Sequence, residues 1–235
     1  MKKILFLTFF LCSIIVRAQI GEYRNDMCIG VNAGVTLNEV GFDPLIAQNY
    51  HTSPTMGITF RYTSEKFLTA YCAFQAELNY ARLGWNENIV DANLIPLPDT
   101  YKRNIDYLQM PFFARLAWGK EKKGLMFYFL VGPQIGFMIN ESEERSAQWT
   151  LNTNGIPNRP NGVAEQYDLK VKNKFDYGIT GGIGVELNTN CGHFLVEGRY
   201  YYGLADVFGN AKRDFFSRSN HSTIVAKVSY LIDIN

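Results

Sequence analysis

A chain of 235 residues with 23 Lys and Arg against 22 Asp and Glu carries a net charge of +1, and its basic residues are scattered. That balance excludes a nucleic-acid footprint, which needs a concentrated positive face. Aromatic residues at 14% and 20 glycines, without a sustained helical period, exclude a helical bundle and leave room for one sizeable all-β domain.

Met1 to Ala18 reads as a secretory signal peptide: Lys2 and Lys3, an apolar run from Ile4 to Val16, then Val16-Arg17-Ala18 before Gln19. Leu11-Cys12-Ser13 lacks the small residue that precedes a lipidated cysteine, so Cys12 is not expected to carry an anchor. The expected organisation is a signal peptide over 1–18 and a single domain over 19–235. No later segment approaches the roughly 18 uninterrupted apolar residues of a transmembrane helix. An exported chain of this kind spans a membrane as a barrel or does not span one. Cleavage leaves Cys28, Cys72 and Cys191, an odd number with neither a disulfide-framework spacing nor the His and Cys spacing of a zinc site. Unpaired thiols, no metal and no cofactor are expected.

Eight segments alternate with the period of two that marks a strand. In chain order they are Met27 to Thr36, Thr55 to Thr63, Thr69 to Leu83, Ile105 to Trp118, Leu125 to Asn140, Lys174 to Asn188, His193 to Ala205 and Ser222 to Ile234. The connections alternate too. Leu37 to Pro54, Gly84 to Asn104, Glu141 to Asn173 and Asp206 to His221 are long, whereas Ser64 to Leu68, Gly119 to Gly124 and Thr189 to Gly192 are short. Long extracellular loops taking turns with short periplasmic turns, on an even number of strands, are the pattern of an up-and-down outer-membrane barrel.

The two faces of each strand carry the stronger signal. The sixth sets Phe175, Tyr177, Ile179, Ile183, Val185 and Leu187 against Asp176, Gly178, Thr180, Gly182, Gly184, Glu186 and Asn188. The seventh sets Phe194, Val196, Gly198, Tyr200, Tyr202 and Leu204 against Leu195, Glu197, Arg199 and Tyr201. Collected over all strands, the polar faces hold Arg61, Arg115, Arg199 and Lys227 with Glu77, Glu186 and Glu197. A soluble lipocalin-like barrel, the alternative architecture, would scatter lysines over such a face and turn its apolar face inward around a small apolar ligand. Glycines, hydroxyls, amides and a few charges of both signs suit a crowded lumen better, and the apolar face suits lipid. The expected fold is therefore an all-β, eight-stranded antiparallel up-and-down transmembrane β-barrel in outer-membrane lipid. Its seven lumen charges should pair and fill the interior, which excludes a wide water-filled porin.

Tyr107-Leu108-Gln109-Met110-Pro111, Gly132-Pro133-Gln134-Ile135-Gly136, Gly181-Gly182-Ile183-Gly184-Val185-Glu186 and Glu197-Gly198-Arg199-Tyr200 running on to Gly203-Leu204 resemble the PorT-like outer-membrane β-barrel family of Bacteroidetes, often labelled porin family proteins. The resemblance covers essentially the whole mature chain. It implies an eight-stranded outer-membrane barrel. The member that names the family assists protein export through the type IX secretion system, so an accessory role in export is one implied function.

Gly178 to Gly184, "GITGGIG", is not expected to hold a phosphate, because Val185-Glu186-Leu187-Asn188 continues the strand where a nucleotide loop would open a helix. Its glycines should make room for Arg and Tyr side chains in the lumen. Pro111 and Pro133 fall inside paired strands and predict a local bulge, with Pro111 almost opposite Gly132. Ser219-Asn220-His221-Ser222, with Asp206 and Asp214 in the same loop, is the cluster on which a lipid A-modifying enzyme or protease would depend. An incidental histidine in a polar loop is the favoured reading. The Glu141 to Asn173 loop, with Trp149, Tyr167 and two prolines, reads as solvated surface more readily than as a binding loop. The sequence thus points to a non-enzymatic barrel that presents its loops to surface ligands or protein partners.

Overall fold

Closure of a single antiparallel sheet organises the chain. The computed structural model describes residues 21–234, and the expected signal peptide lies outside them. Its strands are β1 (Glu22–Asp43), β2 (Gln48–Asn49), β3 (His51–Phe67), β4 (Ala70–Glu87), β5 (Tyr101–Gly119), β6 (Gly124–Arg145), β7 (Phe175–Thr189), β8 (Gly192–Asp206) and β9 (Arg218–Asp233). Each long strand pairs with its neighbour in the chain, β1 also pairs with β9, and the ring of eight closes. The two-residue β2 is an appendage of the first long connection and adds to the edge of β4. No described helix is long and apolar enough to cross a membrane, which says nothing about crossing by strands.

The facing follows the alternation. Val31, Ile58, Phe127, Ile183, Val196 and Val228 point outward and are more than half exposed. Between them lie Asn32, Thr59, Gln75, Thr180 and Ser229, buried on the inner face. The outer apolar belt is edged by aromatic pairs. Phe137 and Phe175 meet at 5.1 Å toward the long-loop end, and Trp118 with Phe129 (5.5 Å) and Phe194 with Tyr230 (4.9 Å) meet toward the short-turn end. A belt between two aromatic girdles fits a hydrocarbon layer with an interface on each side. Closure supplies the other requirement, since each of the eight long strands has a partner on both edges.

The strands run well past this belt at the long-loop end, and there the facing rule inverts. On β1 the outer residues change from Val31 and Val35 to Glu39 and Asp43, while the inner ones change from Asn32 and Thr36 to Val40 and Phe42. On β4 the inner face passes from Gln75, Glu77 and Asn79 to Ala81, Leu83 and Trp85, with Arg82 now outside. Arg82 Nε reaches Asp106 Oδ1 at 2.7 Å on that outer face. Above the belt the wall is built like a soluble barrel, apolar within and polar without. This is why β1 extends to Asp43 rather than Thr36 and β6 to Arg145 rather than Asn140. The long connections are shorter than the sequence suggests, because hydrogen-bonded pairing continues where the lipid-facing pattern has stopped.

The expected bulge at Pro111 and Pro133 is not there. Pro111 lies opposite Gln134, the register sums unchanged from Tyr107/Met138 to Gly119/Met126, and the shift occurs at Asp106/Tyr107. The prolines act by removing rungs: neither β4 nor β6 has ladder partners for every residue around Pro111. Close approach explains the lumen glycines. A Cβ on Gly182 would meet Arg199 Cγ at 2.8 Å, and one on Gly184 would meet the Tyr128 ring.

Candidate functional site

The lumen is filled in layers, and the seven charged residues singled out in the sequence occupy its middle. Arg61, Glu77, Arg115, Glu186, Glu197, Arg199 and Lys227 are each at most 5% exposed. They form two clusters. In the first, Arg61 Nη1 on β3 donates to both Glu186 oxygens on β7 at 2.9 and 2.8 Å, and Arg115 Nη2 also donates to Glu186. In the second, Arg199 Nη1 on β8 donates to Glu77 Oε2 on β4 at 2.9 Å and Lys227 Nζ donates to the same oxygen at 2.8 Å. Gln75 and Asn79 add donors to Glu77, Arg199 also pairs with Glu197, and the Tyr128 hydroxyl donates to Glu197 at 2.9 Å. β3 and β7, like β4 and β8, are four steps apart around the eight-strand ring. The Arg61–Glu186 and Arg199–Glu77 pairs are thus struts across the full diameter. Arg115 lies 4.0 Å over the Tyr128 ring and Arg199 4.6 Å over Phe113, so the guanidinium faces are covered as well.

Toward the long-loop end follows a further polar layer that contains His221 and Asp176, the latter accepting from the Tyr201 hydroxyl at 2.7 Å. His221 is fully buried; its Nδ1 lies 3.3 Å from Asn38 Nδ2 and its Nε2 3.4 Å from the Tyr107 hydroxyl. The serines and aspartates of its loop are engaged elsewhere. Ser219 Oγ accepts from Phe208 N, Ser222 bonds Tyr200, Asp206 Oδ1 accepts from Ser219 N, and Asp214 pairs with Lys172. The nucleophile, base and carboxylate that the enzyme alternative requires are not brought together here.

Above this layer the long connections fold across the mouth. Trp85, Phe42, Phe208 and Phe216 pack ring on ring, with centroids 5.0 to 6.1 Å apart. The connection between β6 and β7 is tied down onto them, contrary to the solvated loop that its composition suggests. Tyr167 is buried, donates to Glu87 Oε2 at 2.6 Å and accepts from Arg159 Nε at 2.7 Å. Burial pushes the Tyr167 phenol well above its ordinary value, so it remains a donor at neutral pH. Arg159 pairs with Asp99 at 3.1 Å and lies over Trp149 at 4.8 Å, and Asp99 in turn accepts from Thr150. Arg103 fastens the base of the same connection through Glu141, Glu143 and the Leu169 carbonyl. Truncation of Arg159 to Ala is expected to free this segment while leaving the barrel closed. Limited proteolysis should then cut within 146–174 faster than in the parent, with the boiling-dependent shift in SDS mobility unchanged. Equal cleavage rates would show that Arg159 does not hold the cap.

Part of the cap surface is apolar although it faces outward. Leu45, Leu94, Ile95, Leu151 and Ile156 are between 49% and 78% exposed, all beyond the wall and away from the belt. No local periodicity marks these loop residues, and the sequence reading missed them.

A profile of the family described as "Outer membrane protein beta-barrel domain" matches residues 18–209. No curated protein matches the chain. Among solved structures it is similar to OprG of Pseudomonas aeruginosa, with 10% identity, a TM-score of 0.45, and 90% of this chain and 98% of that chain covered. Neisserial surface protein A has 10% identity, a TM-score of 0.43 and coverages of 87% and 96%. Ail of Yersinia pestis has 11% identity, a TM-score of 0.37 and coverages of 89% and 100%.

Proposed function

We propose, for a chain that belongs to the outer membrane protein beta-barrel domain family, a non-enzymatic role in which the capped end of the barrel binds a partner at the cell surface. The long connections then face outward and the short turns face the periplasm. Exposed apolar side chains on a tied-down cap, Leu45, Leu94, Ile95, Leu151 and Ile156, carry this reading. Such residues lose contact with water only when something covers them, and a loop held by buried ion pairs presents them in a fixed arrangement. The lumen supports the same conclusion from the other side. Struts across the diameter beneath an aromatic plug leave the interior occupied, so the barrel serves as a platform and not as a pore. An accessory role in protein export, which the PorT-like resemblance implies, is the specific form of this function that we favour.

Two measurements test it. Purified barrel in planar bilayers is expected to show no steady open-channel conductance; a porin-like conductance would refute the platform. A photo-crosslinking residue placed at Leu94 or Ile156 in cells should yield a discrete protein or glycan adduct. Absence of any adduct from both positions, in barrel recovered from the outer membrane, would remove the binding role.

A further inference from the structure

At the short-turn mouth three side chains from three neighbouring strands converge. Cys28 on β1, His193 on β8 and Asp233 on β9 bring their sulfur, nitrogen and oxygen atoms within 4.8 Å of one another. Cys28 Sγ lies 3.1 Å from Asp233 Oδ1, and His193 Nε2 lies 3.0 Å from the same oxygen. Cys28 and Asp233 are partners across the β1–β9 ladder, so their proximity is a property of the register. The sequence holds no metal-ligand spacing because the three residues meet only when β9 closes the ring between β1 and β8.

We propose that Cys28, His193 and Asp233 form a binding site for a borderline divalent transition ion of the Zn2+ type. Bond lengths of about 2.0 to 2.3 Å in a tetrahedral site put ligand atoms roughly 3.3 to 3.5 Å apart, so the contacts that Cys28 and His193 make with Asp233 need to lengthen by only a few tenths of an ångström. A thiolate and a carboxylate neutralise the ion, and the imidazole completes a mixed S, N, O set. This set suits zinc and its neighbours in the transition series, and a thiolate is foreign to Ca2+ and Mg2+, which take oxygen ligands.

The surroundings are those that a metal-binding histidine requires. His193 directs Nδ1 away from the cluster, 2.7 Å from Asn188 Oδ1 and 2.9 Å from Glu186 Oε1. That hydrogen bond fixes the ring and leaves Nε2 as the ligand atom, the arrangement in which a carboxylate or amide orients a ligating imidazole. Arg61 Nη2 donates to Cys28 Sγ at 3.3 Å, which holds the sulfur in place beside the other two groups. All three residues line a cavity of about 530 Å³ at the mouth, bordered also by Arg24, Glu121 and Lys122, through which an ion and a water molecule can enter.

Full-length mature barrel, folded in detergent, is titrated with Co2+ as the probe. One equivalent is expected to bind with a thiolate-to-cobalt charge-transfer absorption that Zn2+ abolishes. The Cys72→Ser/Cys191→Ser double variant, in which Cys28 is the one thiol left in the mature chain, should keep the band, and Cys28→Ser should lose it. Asn188→Ala is expected to weaken binding by about 10- to 100-fold through the ring it positions. No band in the parent, a band that survives Cys28→Ser, or loss of the band in the double variant with the boiling shift intact would each overturn the site. The double variant keeps the test decisive even where Cys28→Ser fails to fold.

Discussion

Replacement of Glu186 by Leu is expected to destabilise the barrel by about 3–5 kcal/mol, the cost of leaving buried charge uncompensated. Glu186 is the common acceptor of Arg61 and Arg115, all three side chains are at most 4% exposed, and its removal strands two guanidinium groups side by side. Leu supplies volume, so the loss is electrostatic and not a cavity. The companion variant Arg61→Met/Arg115→Met/Glu186→Leu removes all three charges and should recover most of the loss, since an apolar filling of similar size avoids desolvation altogether. Urea-unfolding midpoints in lipid vesicles, read by the boiling-dependent SDS mobility, check both. A single variant as stable as the parent would mean that the strut does not hold the lumen, and a triple variant no better than the single would point to packing.

The second large effect lies on the opposite face. Val228 is 56% exposed in the middle of the outer belt, with Val196 and Ala33 as its ladder neighbours. Arg at this position is expected to cost about 2–4 kcal/mol in a bilayer, the penalty for a cation near the midplane of a barrel wall. The same substitution at Leu45, which is 78% exposed but sits on the cap, should stay within about 0.5 kcal/mol. A barrel with this facing but surrounded by water in place of lipid would tolerate both equally, because each site would be solvated. Equal unfolding midpoints for Val228→Arg and Leu45→Arg in vesicles would therefore displace the belt from lipid, whereas a selective loss at Val228 fixes its depth.

Residues differ in how far their roles could be read in advance. Arg199 was legible as a lumen residue because Tyr200 and Leu204 alternate with it, and alternation is a local property of extended backbone. Its partner was not, since Glu77 stands 122 residues away and meets Arg199 only across the closed ring. Pro111 was legible as a defect in pairing but not as one without a bulge, because the register depends on both neighbouring strands. Val40, Phe42 and Trp85 misled for a different reason: their strands continue beyond the belt, where water replaces lipid outside and the same period of two selects apolar residues for the inside. Tyr167 and Arg159 carry no period at all, and their burial depends on what lies beneath them.

The sequence by itself determined that the chain forms eight antiparallel strands, which face of each turns outward within the belt, and therefore that seven charged residues share one enclosed space. Those facts follow from backbone geometry over a few neighbouring residues. Only the tertiary structure decided which charges meet across the diameter, that the wall inverts above the belt and is roofed by its loops, and that Cys28, His193 and Asp233 converge at the other mouth. Each of these depends on closure of the ring and on the stagger of its strands, quantities that no stretch of sequence contains because they are set by all eight strands together.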